Sequence, residues 1–132
     1  MSEEELKNWI EISALDEKAA RDLYATKNYP LAVFHCQQAV EKYLKALIYY
    51  SGKPKFSHSL GQLGEELEKR LNKSLPKNVK TAMNELDFHY TTSRYPGIMS
   101  VKELYTKAKA DQGLLWMNTC LRYLKALKLT KG

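Results

Sequence analysis

Three groups of side chains stand at spacings that could hold an anionic ligand carrying a base. His58 follows a basic loop, Gly52 to Ser57, that contains Lys53 and Lys55. Arg94 and Tyr95 stand side by side in the stretch Thr91 to Gly97. Gln38, Lys42 and Lys45 fall at i, i+4 and i+7, which places them on one side of a helical run from Pro30 to Ser51. A guanidinium can grip a phosphate through two parallel hydrogen bonds, a tyrosine ring can stack on a base, and a helix N-terminus adds backbone donors. If the end of the fold bearing His58 faces the Arg94 loop, these residues make a cationic, aromatic pocket. The alternative is structural: His58 bonds to backbone, and Arg94 pairs with an acid such as Glu41 to pin its loop. Asp87 is a lone acid nearby that could position Arg94.

Other chemistries lack their residues. There is no glycine-rich phosphate loop, no Ser/His/Asp order, no metal-binding carboxylate cluster and no Cys/His spacing of a zinc site. Cys36 and Cys120 lie in apolar helical stretches and read as buried, reduced thiols; an inter-helix bridge would need a geometry that sequence does not supply. His35 reads as a helix-face residue. His89, next to Tyr90, lies closer to the pocket and reads as an interior or rim residue.

The elements that must position these groups are helices. In Pro30–Ser51, Leu31, Val33, Phe34, Ala39, Val40, Tyr43, Leu44, Leu47 and Ile48 trace a wide apolar stripe. Pro30 suits a first turn, and Gly52 with Pro54 ends the run. Before it, a helix over Ser2–Ala25 opens on the capping-box spacing of Ser2 and Glu5, with Trp9, Ile12, Leu15, Ala19 and Leu23 as its apolar face. The short link Thr26–Tyr29 predicts antiparallel packing of the two. A third helix is expected over Leu60–Asn72, capped by Ser57 or Ser59, and a fourth over Lys77–Tyr90, broken by the stretch that carries Arg94. The last helix should begin at Ser100, capped with Glu103, and run to about Leu129 with a weak point at Gly113. That length, about 45 Å, exceeds what a small bundle covers, so its end would splay or pack on another subunit.

At 132 residues the chain is expected to be one domain, 1–132, with a single core. No apolar run approaches the ~20 residues of a membrane helix. The acidic start MSEEELKNW lacks the basic and apolar regions of a signal peptide, so a cytoplasmic location is expected. The net charge of +6 is uneven. Residues 1–51 hold six Lys/Arg against eight Asp/Glu, and residues 52–132 hold fifteen against seven. That basic second part fits either attraction to phosphates or an acidic partner, or a lysine-rich solvated surface.

Three pieces, in order along nearly the whole chain, carry a family resemblance. The run HCQQAVEKYLKALI resembles the signature helix of HEPN domains, small helical bundles named for proposed nucleotide binding in prokaryotes and higher eukaryotes. His58-Ser59-Leu60 resembles their His-x-Leu element, and Tyr90 with Ser93-Arg94-Tyr95-Pro96 resembles their Tyr-x-x-x-Arg-Tyr-Pro element. The resemblance implies an all-α, up-and-down bundle of about five helices, similar to the helical domain of antibiotic nucleotidyltransferases, and a homodimer. It carries a ligand or partner surface onto Gln38, Lys42, His58, Tyr90, Arg94 and Tyr95. It also implies a separate minimal nucleotidyltransferase as partner, the two forming a toxin–antitoxin pair, with an ATP-like nucleotide as ligand. Many HEPN proteins are ribonucleases with an arginine, four to six intervening residues and a histidine, where the histidine moves the proton of the RNA 2′-OH. Here no histidine follows Arg94, and His89 precedes it by five residues. The expectation is therefore a non-catalytic nucleotide- or partner-binding module. An RNase toxin using Arg94 with His58 or His89, and a purely structural dimer, are the alternatives.

Overall fold

The computed structural model describes residues 2–95, 97 and 100–132. Among these there is no strand, and six helices follow one another: α1 Glu3–Ala25, α2 Tyr29–Ser51, α3 Leu60–Leu71, α4 Lys77–Thr92, α5 Val101–Leu104 and α6 Lys107–Ala126. Their starts follow the capping chemistry of the sequence. Ser2, Ser59 and Ser100 accept from the backbone N–H three residues on, at 3.1, 3.2 and 3.2 Å. Asn72 closes α3 in the left-handed conformation, φ 54°.

α2 is the core of the bundle, with Val33, Ala39, Val40, Leu44, Leu47 and Ile48 buried. α1 lies antiparallel to it, since Asp16 reaches His35 and Ser13 donates to the Ala39 carbonyl at 2.7 Å. The contact face of α1 is only part of the predicted apolar one. Trp9, Ala19 and Leu23 are half-buried, but the fully buried residues are Ser13 and Ala20, while Ile12 and Leu15 are 43 and 61 % exposed. The basic loop after α2 carries the chain back along it, so α3 starts beside Glu41 and ends beside Ile48. Arg70 fixes that end, donating to the carbonyls of Ile48 and Lys53 and to Ser51 Oγ. These bonds satisfy carbonyls that the end of α2 leaves open.

Two expectations about the C-terminal half are corrected. The fourth helix runs on through Thr91 and Thr92, because Thr92 Oγ1 bonds back to the Phe88 carbonyl at 3.1 Å and to the Tyr105 hydroxyl at 2.6 Å. The long last helix is divided, which makes the count six rather than five. The break falls at Tyr105–Thr106 and not at Gly113. Tyr105 is buried and held by His89, and Thr106 caps a new helix by accepting from Lys109 N. Gly113 stays helical because it faces α2: a Cβ there would sit 3.1 Å from Val33 Cγ2. With 20 residues, α6 is about 30 Å long and fits the bundle.

Cys36 and Cys120 are both buried and free, and burial pushes each thiol up to about 12. No helix among the described residues is long and apolar enough to cross a membrane.

Candidate functional site

The middle of α2 is polar where a bundle core is normally apolar. Gln37, Glu41 and Lys45, four residues apart, are all buried. Glu41 is 1 % exposed, and its Oε2 accepts from Lys45 Nζ at 2.9 Å and lies 3.2 Å from His58 Nδ1. A carboxylate only accepts, so Nδ1 is the protonated ring nitrogen of His58. Gln38 Nε2 donates to Glu41 Oε1 of the same carboxylate at 3.3 Å, and Lys42 donates to Gln38 Oε1 at 2.9 Å. Gln37 donates to the His58 carbonyl at 2.9 Å, fixing the loop that presents the imidazole. That imidazole side chain is 71 % exposed although its partner is buried.

Aromatic residues continue the surface. The His58 ring stacks on Tyr90, with centroids 6.0 Å apart and planes 11° from parallel. Tyr90 neighbours Phe34 at 5.9 Å. The Arg94 guanidinium lies over three rings: Phe34 at 4.9 Å, Tyr90 at 5.1 Å and Tyr95 at 5.1 Å. Its one hydrogen bond to a side chain among the described residues goes to the Tyr95 hydroxyl, at 3.0 Å. No carboxylate among the described residues pairs with it. A guanidinium on aromatic faces keeps its charge and most of its N–H groups available.

Asp87 neither pairs with nor positions Arg94. Its carboxylate accepts from Leu60 N, Gly61 N and Ser59 Oγ at 2.8, 3.0 and 3.1 Å. It therefore occupies the start of α3 as that helix's own anion, and the backbone donors expected there for a phosphate are already used. A recess of about 200 Å³ remains between His58, Ser59, Asp87 and Tyr90.

The sequence profile of the HEPN domain family matches residues 6–128. The chain belongs to the HEPN domain family. The HEPN chain is similar in structure to TT1696 from Thermus thermophilus, at 25 % identity and a TM-score of 0.83, over 91 % of this chain and 95 % of that one. It is also similar to ST0689, an archaeal HEPN homologue, at 29 % identity and a TM-score of 0.75, over 95 % and 97 % of the two chains. A search among curated proteins finds no match.

Within this HEPN fold the six motif residues form one connected surface. Lys42, Gln38 and His58 are linked through Glu41, and Tyr90 connects His58 to Arg94 and Tyr95. Pro96, the last residue of the third motif, lies outside the described residues. His89 does not join the surface. It is 1 % exposed, lies 2.7 Å from the Tyr105 hydroxyl through Nδ1 and stacks on Trp116. Burial, with Lys109 nearby, brings it down to about 4, so it is neutral near pH 7. Residues that the sequence left out of the site are Phe34, counted there as core, and Gln37. Glu41 carried a signal, standing four residues before Lys45 on a helix, although the structural alternative offered it to Arg94. Among the described residues no group of three or more His, Cys, Asp or Glu side chains could hold a metal ion.

Proposed function

We propose that this HEPN protein is a non-catalytic module that binds a nucleotide or a partner protein through the Arg94 surface. It acts as a homodimer in the cytoplasm, beside a separate minimal nucleotidyltransferase that supplies the metal and the catalytic carboxylates. The observation that carries the reading is Arg94 itself: a guanidinium without a carboxylate partner among the described residues, resting on rings that can also stack on a base. Lys42 and His58 would add positive charge or donors at one side, and Gln38 a polar group for the base or sugar. The test is calorimetry and thermal shift with ATP, GTP and their monophosphates on the wild type and Arg94→Ala. Saturable binding lost in the variant supports the nucleotide reading, since ligand bound to the folded state raises Tm by mass action. No binding by the isolated chain, followed by binding once the nucleotidyltransferase is added, supports the shared-cleft form. Light scattering at twice the 15.2 kDa chain mass tests the homodimer. Growth arrest by one partner and its relief by the other tests the toxin–antitoxin pairing.

A ribonuclease reading has one observation in its favour. His58 and Arg94 share Tyr90, and the imidazole Nδ1 lies 3.2 Å from a buried carboxylate that would hold the ring in place. On that reading purified protein cuts single-stranded RNA without metal, and Arg94→Ala and His58→Ala each abolish cutting. Cutting that survives either substitution rules it out.

A further inference from the structure

At the other end of α2 lies a second aromatic cluster, outside the Arg94 surface. Trp9 of α1 meets Tyr49 of α2 edge to face, with centroids 5.3 Å apart and planes at 85°. The basic loop completes the enclosure. Gly52, Pro54 and Phe56 join Trp9, Tyr49 and Glu5 around a recess of about 350 Å³. The loop is tethered there by the Tyr49 hydroxyl, which donates to the Lys55 carbonyl at 3.4 Å, and by Arg70 at Lys53. Phe56 is 84 % exposed and leaves that side of the recess open to solvent.

We propose that this recess is a binding site for a singly charged organic cation, an alkylammonium head of the choline type. Three aromatic rings and one carboxylate lining a single recess are the chemistry that holds a diffuse, weakly hydrated cation. Both halves of that chemistry are unclaimed by the chain. Among the described residues no lysine or arginine lies over Trp9, Tyr49 or Phe56. Glu5 pairs with no basic side chain among them either; its carboxylate meets the Ser2 hydroxyl at 3.3 Å. Lys53 and Lys55 on the same loop oppose any cation, and oppose a multiply charged one more strongly, so the ligand carries no more than one positive charge on an otherwise neutral body.

The test uses the two tryptophan indole resonances of ¹⁵N-labelled protein, Trp9 being identified by its loss in Trp9→Phe. Choline chloride is titrated at constant ionic strength against 3,3-dimethylbutan-1-ol, which has the same shape without the charge. Choline should move the Trp9 resonance saturably and leave Trp116 in place, while the alcohol does not. Glu5→Gln and Phe56→Ala, both at exposed positions, should each weaken binding by about threefold or more. A Trp9 shift that never saturates overturns the proposal, as does an alcohol as effective as choline or an affinity unchanged by Glu5→Gln.

Discussion

His58 and His89 flank Tyr90, one across the fold and one along the chain, and they live in opposite environments. His58 faces solvent with a buried carboxylate behind it, and next to it lies a guanidinium held on aromatic rings. His89 is sealed between Tyr105 and Trp116, where it ties the end of α4 to the break before α6. The first is open to solvent on the motif surface; the second is a packing group inside the bundle. The sequence placed His58 in the pocket and read His89 as an interior or rim residue, with either one open to the ribonuclease alternative; burial and partners now separate them.

The largest expected effect is at Glu41. Removing it in Glu41→Ala leaves Lys45 buried and unpaired, and should cost about 3–5 kcal/mol in urea denaturation. A loss below about 1 kcal/mol would mean that the polar seam of α2 is not what fixes His58. His89→Ala comes next: losing a buried, stacked, hydrogen-bonded ring should cost about 3 kcal/mol, with ligand binding at Arg94 unchanged. Binding lost in parallel would erase the distinction between the two histidines.

The same contrast has a pH signature. Folded His89 titrates near 4 against an ordinary 6.5. Between those values the unfolded chain holds the proton and the folded chain does not, so stability is full above about 6.5 and falls as pH drops toward 4. The slope from this residue approaches about 1.4 kcal/mol per pH unit in that window. Denaturation of the wild type and His89→Gln across pH 7 to 4 should show this component in the wild type alone. The smallest stability effect belongs to Arg94→Ala, within about 1 kcal/mol of wild type because the side chain is exposed. A drop of several degrees in Tm without a change in binding would turn Arg94 into a structural residue and favour the plain dimer.

Much of this was legible in the sequence. Helix starts followed from Ser2, Ser59 and Ser100, whose hydroxyls act within three residues of themselves. The α2 core followed from 3.6-residue periodicity, and the family from three motifs in order. What failed depended on distant neighbours. Thr91 and Thr92 stayed helical because Tyr105, thirteen residues beyond Thr92, offered a hydroxyl. Asp87 went to α3 because the start of that helix lies against α4. Ile12 and Leu15 stayed outside, while Ser13 went inside to donate to the Ala39 carbonyl of α2.

The sequence by itself therefore determined that the chain is helical, where its first five helices begin and which motif residues it carries, since capping and periodicity are local energies read within a few residues. Only the tertiary structure decided which polar groups were used up and which were left free. Asp87 is consumed by backbone donors, Glu41 by Lys45 and His58, and His89 Nδ1 by Tyr105, while Arg94 lies on a bed of rings with no carboxylate partner among the described residues. Pairing between residues dozens of positions apart depends on packing geometry, and no local pattern encodes it.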